Sequence, residues 1–142
     1  MDDLYTDSAK RVMAIAQEQA NYFRHQAIGT EHLLLALTIE DKGVAGQVLK
    51  QAMVTPSDVR REIERLAGYG NLLRQSPSNY LPYSPKAKAV LDETRKQAFL
   101  TGAVRIGTEH FLLALLSDED ILSSRILTSL HVDCKKLRQI LL

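Results

Sequence analysis

The chain has 142 residues, 45% of them hydrophobic and 25% charged, with a formal net charge of +1. That is the composition of an ordinary globular chain of single-domain size, long enough to bury about two thirds of the surface its unfolded form exposes. It excludes a disordered or collagen-like chain and a strongly basic nucleic-acid binder, and the longest apolar run, residues 111–116, falls far short of the ~20 residues of a membrane span.

The N-terminal stretch "MDDLYTDSAK" is acidic where a signal peptide is basic and then apolar. Cys134 is the one cysteine, so the chain has no internal disulfide, as in a reducing compartment, and it reads as a small residue near a helix start. A cytoplasmic protein with no membrane partner is the expectation.

Apolar residues recur at helical spacing throughout, and no stretch sustains the alternation of a half-buried strand, so the spacing predicts an all-α fold. Thr6 sits where the N-cap of a first helix belongs, with Val12, Ile15 and Ala16 as its inward stripe. The phrase "IGTEHLLLAL" begins at Ile28: Gly29-Thr30 breaks the chain and caps a second helix whose body is apolar almost all round and therefore central. A third helix is predicted near Val44–Gln51, and a fourth from Thr55-Pro56 through "DVRREIERL". The stretch 68–83, "GYGNLLRQSPSNYLPY", is rich in Gly, Ser, Asn and Pro and longer than a usual helix connection, which makes it the candidate mobile loop. Ser84-Pro85 then caps and opens a fifth helix, with Val90, Leu91 and Thr94 facing inward. Gly107-Thr108 caps a sixth with the body "EHFLLAL"; a seventh covers Leu122–Ser129, and an eighth starts near Asp133.

The phrase "IGTEHFLLAL" stands 78 residues after its near-copy, and that offset aligns residues 5–64 with 83–142 without a gap. Tyr5/Tyr83, Ala9/Ala87, Lys10/Lys88, Val12/Val90, Ala20/Ala98, Leu49/Leu127 and Arg60/Arg138 are identical pairs. Each unit is thus one supersecondary block that completes its core on the other. The expected architecture is two pseudo-symmetric four-helix repeats, at about 5–67 and 83–142, joined by 68–82 into one eight-helix domain over 1–142, because blocks of about sixty residues are marginal alone.

No phosphate loop, Gly-x-Ser-x-Gly elbow or His-Glu-x-x-His helix occurs, so no catalytic residue is assigned and an enzyme is not expected. His25 and His32 fall on different predicted elements, and His25 is replaced by Ala103 in the second copy, so no metal site is assigned. His32 and His110 are expected to hydrogen-bond at helix starts. Arg60-Arg61 and Lys135-Lys136 alternate with Glu62, Glu64 and Asp133, the pattern of a solvated helix face, and no nucleic-acid partner is expected.

Glu31 and Glu109 admit two readings. A first-turn carboxylate complements the helix dipole while Thr30 and Thr108 cap. Asp would serve that purpose equally, yet both halves hold Glu, which points to a specific contact. Tyr5 and Tyr83 precede N-caps, but the usual staple partner one turn on is Lys10 or Lys88, so their rings lie either in the core or along a groove. A groove at a helix start, with a lysine and a hydroxyl, suits an anion.

Thr/Ser-x-x-Ala-Lys followed by Gly-Thr-Glu-His and an apolar run, present twice, resembles the N-terminal repeat domain of Clp AAA+ unfoldases, closest to ClpC, as does "YSPKAKAVLDE". Two departures are Gly102-Ala103 where the family has Gly-His, and "EDKGVA" answered by "DEDILS". The resemblance implies a substrate- and adaptor-docking module whose parent protein carries ATPase rings, with their ATP and magnesium, and feeds a ClpP-type protease; it implies no cofactor in this segment. It also implies a MecA-type adaptor and recognition of arginine-phosphorylated proteins. Glu31 and Glu109, with Thr6, Thr30, Ser84 and Thr108, become the phosphoarginine candidates, and Tyr5, Lys10, Tyr83 and Lys88 the adaptor or peptide groove. The chemistry agrees, since phosphoarginine joins a phosphate to a guanidinium and needs an anion site beside a carboxylate. An adaptor-only module and a structural spacer of the unfoldase ring remain the alternatives.

Overall fold

The structure, a computed structural model, describes residues 4–70 and 80–142. Among them are eight helices: α1 (Asp7–Tyr22), α2 (Thr30–Ile39), α3 (Val44–Gln51), α4 (Pro56–Leu66), α5 (Pro85–Leu100), α6 (Thr108–Leu116), α7 (Leu122–Ser129) and α8 (Cys134–Leu141). No extended strand occurs among the described residues, so the fold is all-α as the spacing predicts. Residues 71–79, most of the inter-repeat connection, lie outside the described residues, and with them the expectation of a mobile loop.

The two halves repeat in backbone as well as in sequence. The Thr6 hydroxyl accepts the Ala9 N–H at 3.1 Å, and the Ser84 hydroxyl accepts that of Ala87 at 3.1 Å, so both residues cap their helices. Left-handed residues recur at the same offset: Arg24 and Gly102 end α1 and α5, at φ 58° and 71°, and Met53 and His131 follow α3 and α7, at 64° and 61°. The unlike turns "EDKGVA" and "DEDILS" also end alike, with Gly43 and Ile121 as extended N-caps at φ −77° and −74°. Their internal bonds differ. The buried Glu40 carboxylate accepts the Gly43 N–H at 2.8 Å and pairs with Arg11 at 2.9 Å, whereas the Asp118 carboxylate accepts the Asp120 N–H at 2.9 Å.

The core centres on α2 and α6, whose apolar residues are almost completely buried. The stripe α1 turns onto α2 is Ala9, Val12, Ala16 and Ala20; Ile15, expected inside, is half-buried at the rim. Three of the four stripe residues are alanine, which lets the helix axes approach closely. The repeats then meet through α2 against α5, α6 and α7, α3 against α6, and α4 against α7.

Hydrogen bonds cross between the halves in reciprocal pairs. Extended backbone at Tyr5, before α1, pairs with Ile106, before α6, and Tyr83, before α5, pairs with Ile28, before α2. Thr6 and Ile106 donate to the carbonyls of Ile106 and Leu4 at 2.9 and 2.6 Å; Ser84 and Ile28 donate to those of Ile28 and Pro82 at 2.9 and 2.7 Å. Thr30 and Thr108 correct the expectation that they cap their own helices. Each is the first helical residue, and its hydroxyl reaches the opposite repeat: Thr30 accepts the Ser123 N–H of α7 at 3.2 Å, and Thr108 accepts the Ala45 N–H of α3 at 3.1 Å. The N-caps of α3 and α7, Gly43 and Ile121, have no side-chain acceptor of their own.

Replacing the fully buried Leu34 or Leu112 by Ala is expected to cost about 2–5 kcal/mol in chemical denaturation. Thr30→Val and Thr108→Val, which keep volume but remove the borrowed cap, are expected to cost ~1 kcal/mol each by the same measurement. Neutral valine variants would show that these hydroxyls do not hold the repeats together.

Candidate functional site

At the start of α2, the Gly29 N–H donates to His32 Nδ1 at 2.8 Å, and at the start of α6 the Gly107 N–H donates to His110 Nδ1 at 2.8 Å. Histidine thus takes the place that Glu or Gln fills in a capping box, as expected of both rings. Between glycine and histidine, each glutamate folds back toward the helix N-terminus. A Cβ on Gly29 would lie 1.9 Å from Glu31 Oε1, and one on Gly107 2.0 Å from Glu109 Oε1, so these carboxylate positions require glycine. Burial raises the Glu31 carboxyl above its ordinary range, while its own backbone N–H and the nearby His25 act in the opposite direction.

Glu31 faces a pocket of about 400 Å³ whose polar lining includes His25, Thr30, Ser84 and Lys86. Ser84 and Lys86 belong to the start of α5, so the N-termini of two helices from different repeats border one pocket. Each such terminus presents partly unsatisfied N–H groups and a positive dipole end. Lys86 is the binding candidate that sequence reasoning missed: its repeat equivalent is Ser8, so the internal alignment carries no signal for it.

The remaining candidates are placed differently. Thr6 and Thr108 lie on the equivalent elements of the other repeat pairing, α1 and α6. Lys10 and Lys88 are exposed on α1 and α5 and do not line the Glu31 pocket. Tyr5 and Tyr83 are half-buried against the core, Tyr5 with its ring 6.3 Å from Phe111. Burial, and then Tyr5, push the Tyr83 hydroxyl up.

His25 and His32 stand on different elements, as the spacing predicts, yet their rings meet. His25 Nδ1 lies 2.8 Å from His32 Nε2, and His25 Nε2 lies 2.7 Å from the Gly68 carbonyl. Because His32 Nδ1 accepts from Gly29, Nε2 carries its proton and donates to His25 Nδ1; His25 Nε2–H then donates to Gly68. A directed chain of hydrogen bonds thereby ties α2 to the end of α4. His25, Glu31 and His32 each offer a ligand atom within 4.8 Å of the others, but the facing ring nitrogens share a proton, and a cation would have to break that bond to enter. In the second repeat Ala103 replaces His25, and His110 Nε2 instead lies 3.2 Å from the Thr101 hydroxyl.

The family described as the Clp repeat (R) N-terminal domain matches residues 4–140. The chain belongs to that family. ClpC, the ATP-dependent Clp protease ATP-binding subunit of Staphylococcus aureus, is 38% identical over 133 residues, which cover 94% of this chain but 16% of that protein. The N-terminal domain of the ClpD chaperone of Arabidopsis thaliana superposes with a TM-score of 0.80 at 20% identity, over 97% of this chain and 92% of that one. A ClpV N-domain in complex with a VipB peptide gives 0.71 at 20% identity, over 97% and 84%. These superpositions establish the Clp N-domain fold, and the eight-helix architecture agrees with it.

Burial, and then the neighbouring His25, pull His32 down to about 3 from an ordinary 6.5. Between those values the unfolded chain binds a proton that the folded one does not, so stability is expected to fall as pH drops through that window, by on the order of a few kcal/mol. Glu31 partly offsets this just above pH 4.5, where its raised carboxyl keeps a proton that the unfolded chain gives up. His32→Gln keeps an acceptor for Gly29 and removes the titration, so its unfolding midpoint should vary less with pH over the same range. Equal slopes in the two proteins would show that His32 does not set the acid limit.

Proposed function

We propose that this chain is the substrate- and adaptor-docking domain of a ClpC-type unfoldase, a binding module rather than a catalyst, and that it takes arginine-phosphorylated proteins through Glu31 and Glu109. The observation that carries this reading is the Glu31 carboxylate, half-buried in a pocket that also presents Lys86 and two helix N-termini. A guanidinium needs a carboxylate; the phosphate attached to it needs N–H groups and a cation. The lining of the pocket offers both polarities. Membership of the Clp repeat N-terminal family supports a docking role, and the ClpV N-domain structure with its VipB peptide is a case of the same fold holding a protein segment. In this reading a MecA-type adaptor and substrate proteins are the partners, Tyr5, Lys10, Tyr83 and Lys88 flank the peptide groove, and the parent protein supplies ATP- and magnesium-binding rings that deliver to a ClpP-type protease in the cytoplasm. The chain spans 16% of the length of its ClpC relative, and no described helix is long and apolar enough to cross a membrane.

One observation favours the adaptor-only reading. Each glutamate already lies over its own helix start, where it serves as a dipole partner without any ligand. Calorimetric titration with phosphoarginine separates the two. Glu31→Ala and Glu109→Ala are each expected to remove binding at one site, and the double variant to abolish it, with unfolding shifted by no more than about 1 kcal/mol per site. Lys86→Ala should weaken the Glu31 site alone. Affinity should fall as salt rises and should exceed that for free arginine. Unchanged titration in the double variant, with thermal unfolding lowered, leaves the glutamates as helix-end partners only.

A further inference from the structure

His25 and Ala67, the residue that ends α4, both line the Glu31 pocket. The next three residues, Gly68-Tyr69-Gly70, fold over the tip where α1 turns toward α2 and form a clasp. The Gly70 N–H donates to the Phe23 carbonyl at 2.8 Å, and the Tyr69 ring lies 5.3 Å from Phe23 and 6.2 Å from Tyr22. The clasp needs both glycines: Gly68 has φ 66°, and a Cβ on Gly70 would lie 1.8 Å from the Arg24 carbonyl oxygen. The Tyr69 hydroxyl adds a further tie by donating to the Glu64 carboxylate at 2.9 Å.

His25 joins this clasp to the carboxylate. The hydrogen bonds run one way, from the Gly29 N–H through His32 and His25 to the Gly68 carbonyl, with links of 2.8, 2.8 and 2.7 Å. A ring nitrogen of each histidine and a Glu31 carboxylate oxygen lie within 4.8 Å of one another. The His25 ring is also stacked on Phe23 at 5.5 Å, and the Phe23 carbonyl is the one that receives Gly70. Lifting the clasp off the tip therefore breaks the bond that orients His25 and draws Ala67 away, so the pocket loses two lining groups together. A ligand that touches these groups binds the closed arrangement better than the open one, and that difference is what coupling requires. At the second glutamate Ala103 stands in the place of His25 and offers no ring, and His110 Nε2 meets the Thr101 hydroxyl instead.

From this geometry we infer that His25 is a positioning residue that couples the Glu31 pocket to the Gly68–Gly70 clasp. An occupied pocket holds the clasp closed, and a closed clasp holds His25 in place against the ligand. The inference rests on the reading of that pocket as a phosphoarginine site, and it makes the two glutamates unequal: occupancy at Glu31 is felt at the start of the inter-repeat connection, and occupancy at Glu109 is not. By linkage the effect is reciprocal, so a change that loosens the clasp also weakens the ligand.

The test is hydrogen exchange of the Gly70 amide, read by NMR on the 142-residue chain with and without phosphoarginine, in a Glu109→Ala background that leaves the Glu31 site alone. Saturating phosphoarginine is expected to slow that exchange several-fold. His25→Ala, which places in the first half the residue that the equivalent turn already holds, should speed exchange without ligand, weaken phosphoarginine several-fold and remove the ligand's effect on Gly70. Tyr69→Ala loosens the clasp from outside, since Tyr69 does not line the pocket, and should weaken phosphoarginine as well. Absence of calorimetric binding in the Glu109→Ala background would defeat the phosphoarginine reading and this inference with it. Binding there with Gly70 exchange indifferent to ligand, or with His25→Ala and Tyr69→Ala as tight as their parent, would overturn the coupling alone.

Discussion

The structure depends on an exchange of hydrogen bonds between two halves that cannot satisfy their own helix starts. The extended residue before each long helix pairs with the extended residue before the central helix of the other half, and each central helix lends a threonine hydroxyl to the third helix of its opposite. Each such bond is worth roughly 0.5–1.5 kcal/mol net, but a buried donor left without it costs about 1–3 kcal/mol. Pulling the halves apart would therefore strand several donors and acceptors at once, in addition to exposing α2 and α6. Polar satisfaction, and not apolar burial alone, sets the register in which the repeats meet.

That register also creates the site. Crossed pairing brings the N-terminus of α5 against that of α2, so a pocket with a carboxylate from one repeat and a lysine from the other forms at their junction. Neither repeat contains it alone. The glycines before the glutamates belong to the same construction, since a side chain there would occupy the volume the carboxylate fills.

Duplication preserved the frame and released the details. The left-handed turns recur at equivalent positions even where the residues are as unlike as Met53 and His131. Around that frame the first half has acquired a histidine chain to Gly68 and a pairing of Arg11 with the buried Glu40, neither of which the second half repeats, while the second half contributes Lys86, where its counterpart is Ser8, to the pocket that Glu31 lines. Two halves that share one frame now offer different chemistry.

Local pattern and the internal repeat determined the helices, their order and most of the core, because helical periodicity, caps such as Thr6 and Ser84, and breaks such as Gly29 and Gly107 act within a few residues of where they are written. The position of Glu31 and Glu109 in the first turns of α2 and α6 was legible for the same reason: both copies hold them in one phrase. Ile15 was misplaced because a helix stripe read from spacing is uncertain by one position, and close packing onto α2 selected the alanines. The partners of Thr30, Thr108, His25 and Lys86 were decided only by tertiary structure. Thr30 and Ser123 are 93 residues apart, and His25 and Gly68 are 43 apart, so no local rule links them. They meet because two repeats, each with unpaired groups at its helix starts, dock in the orientation that leaves fewest of those groups unpaired.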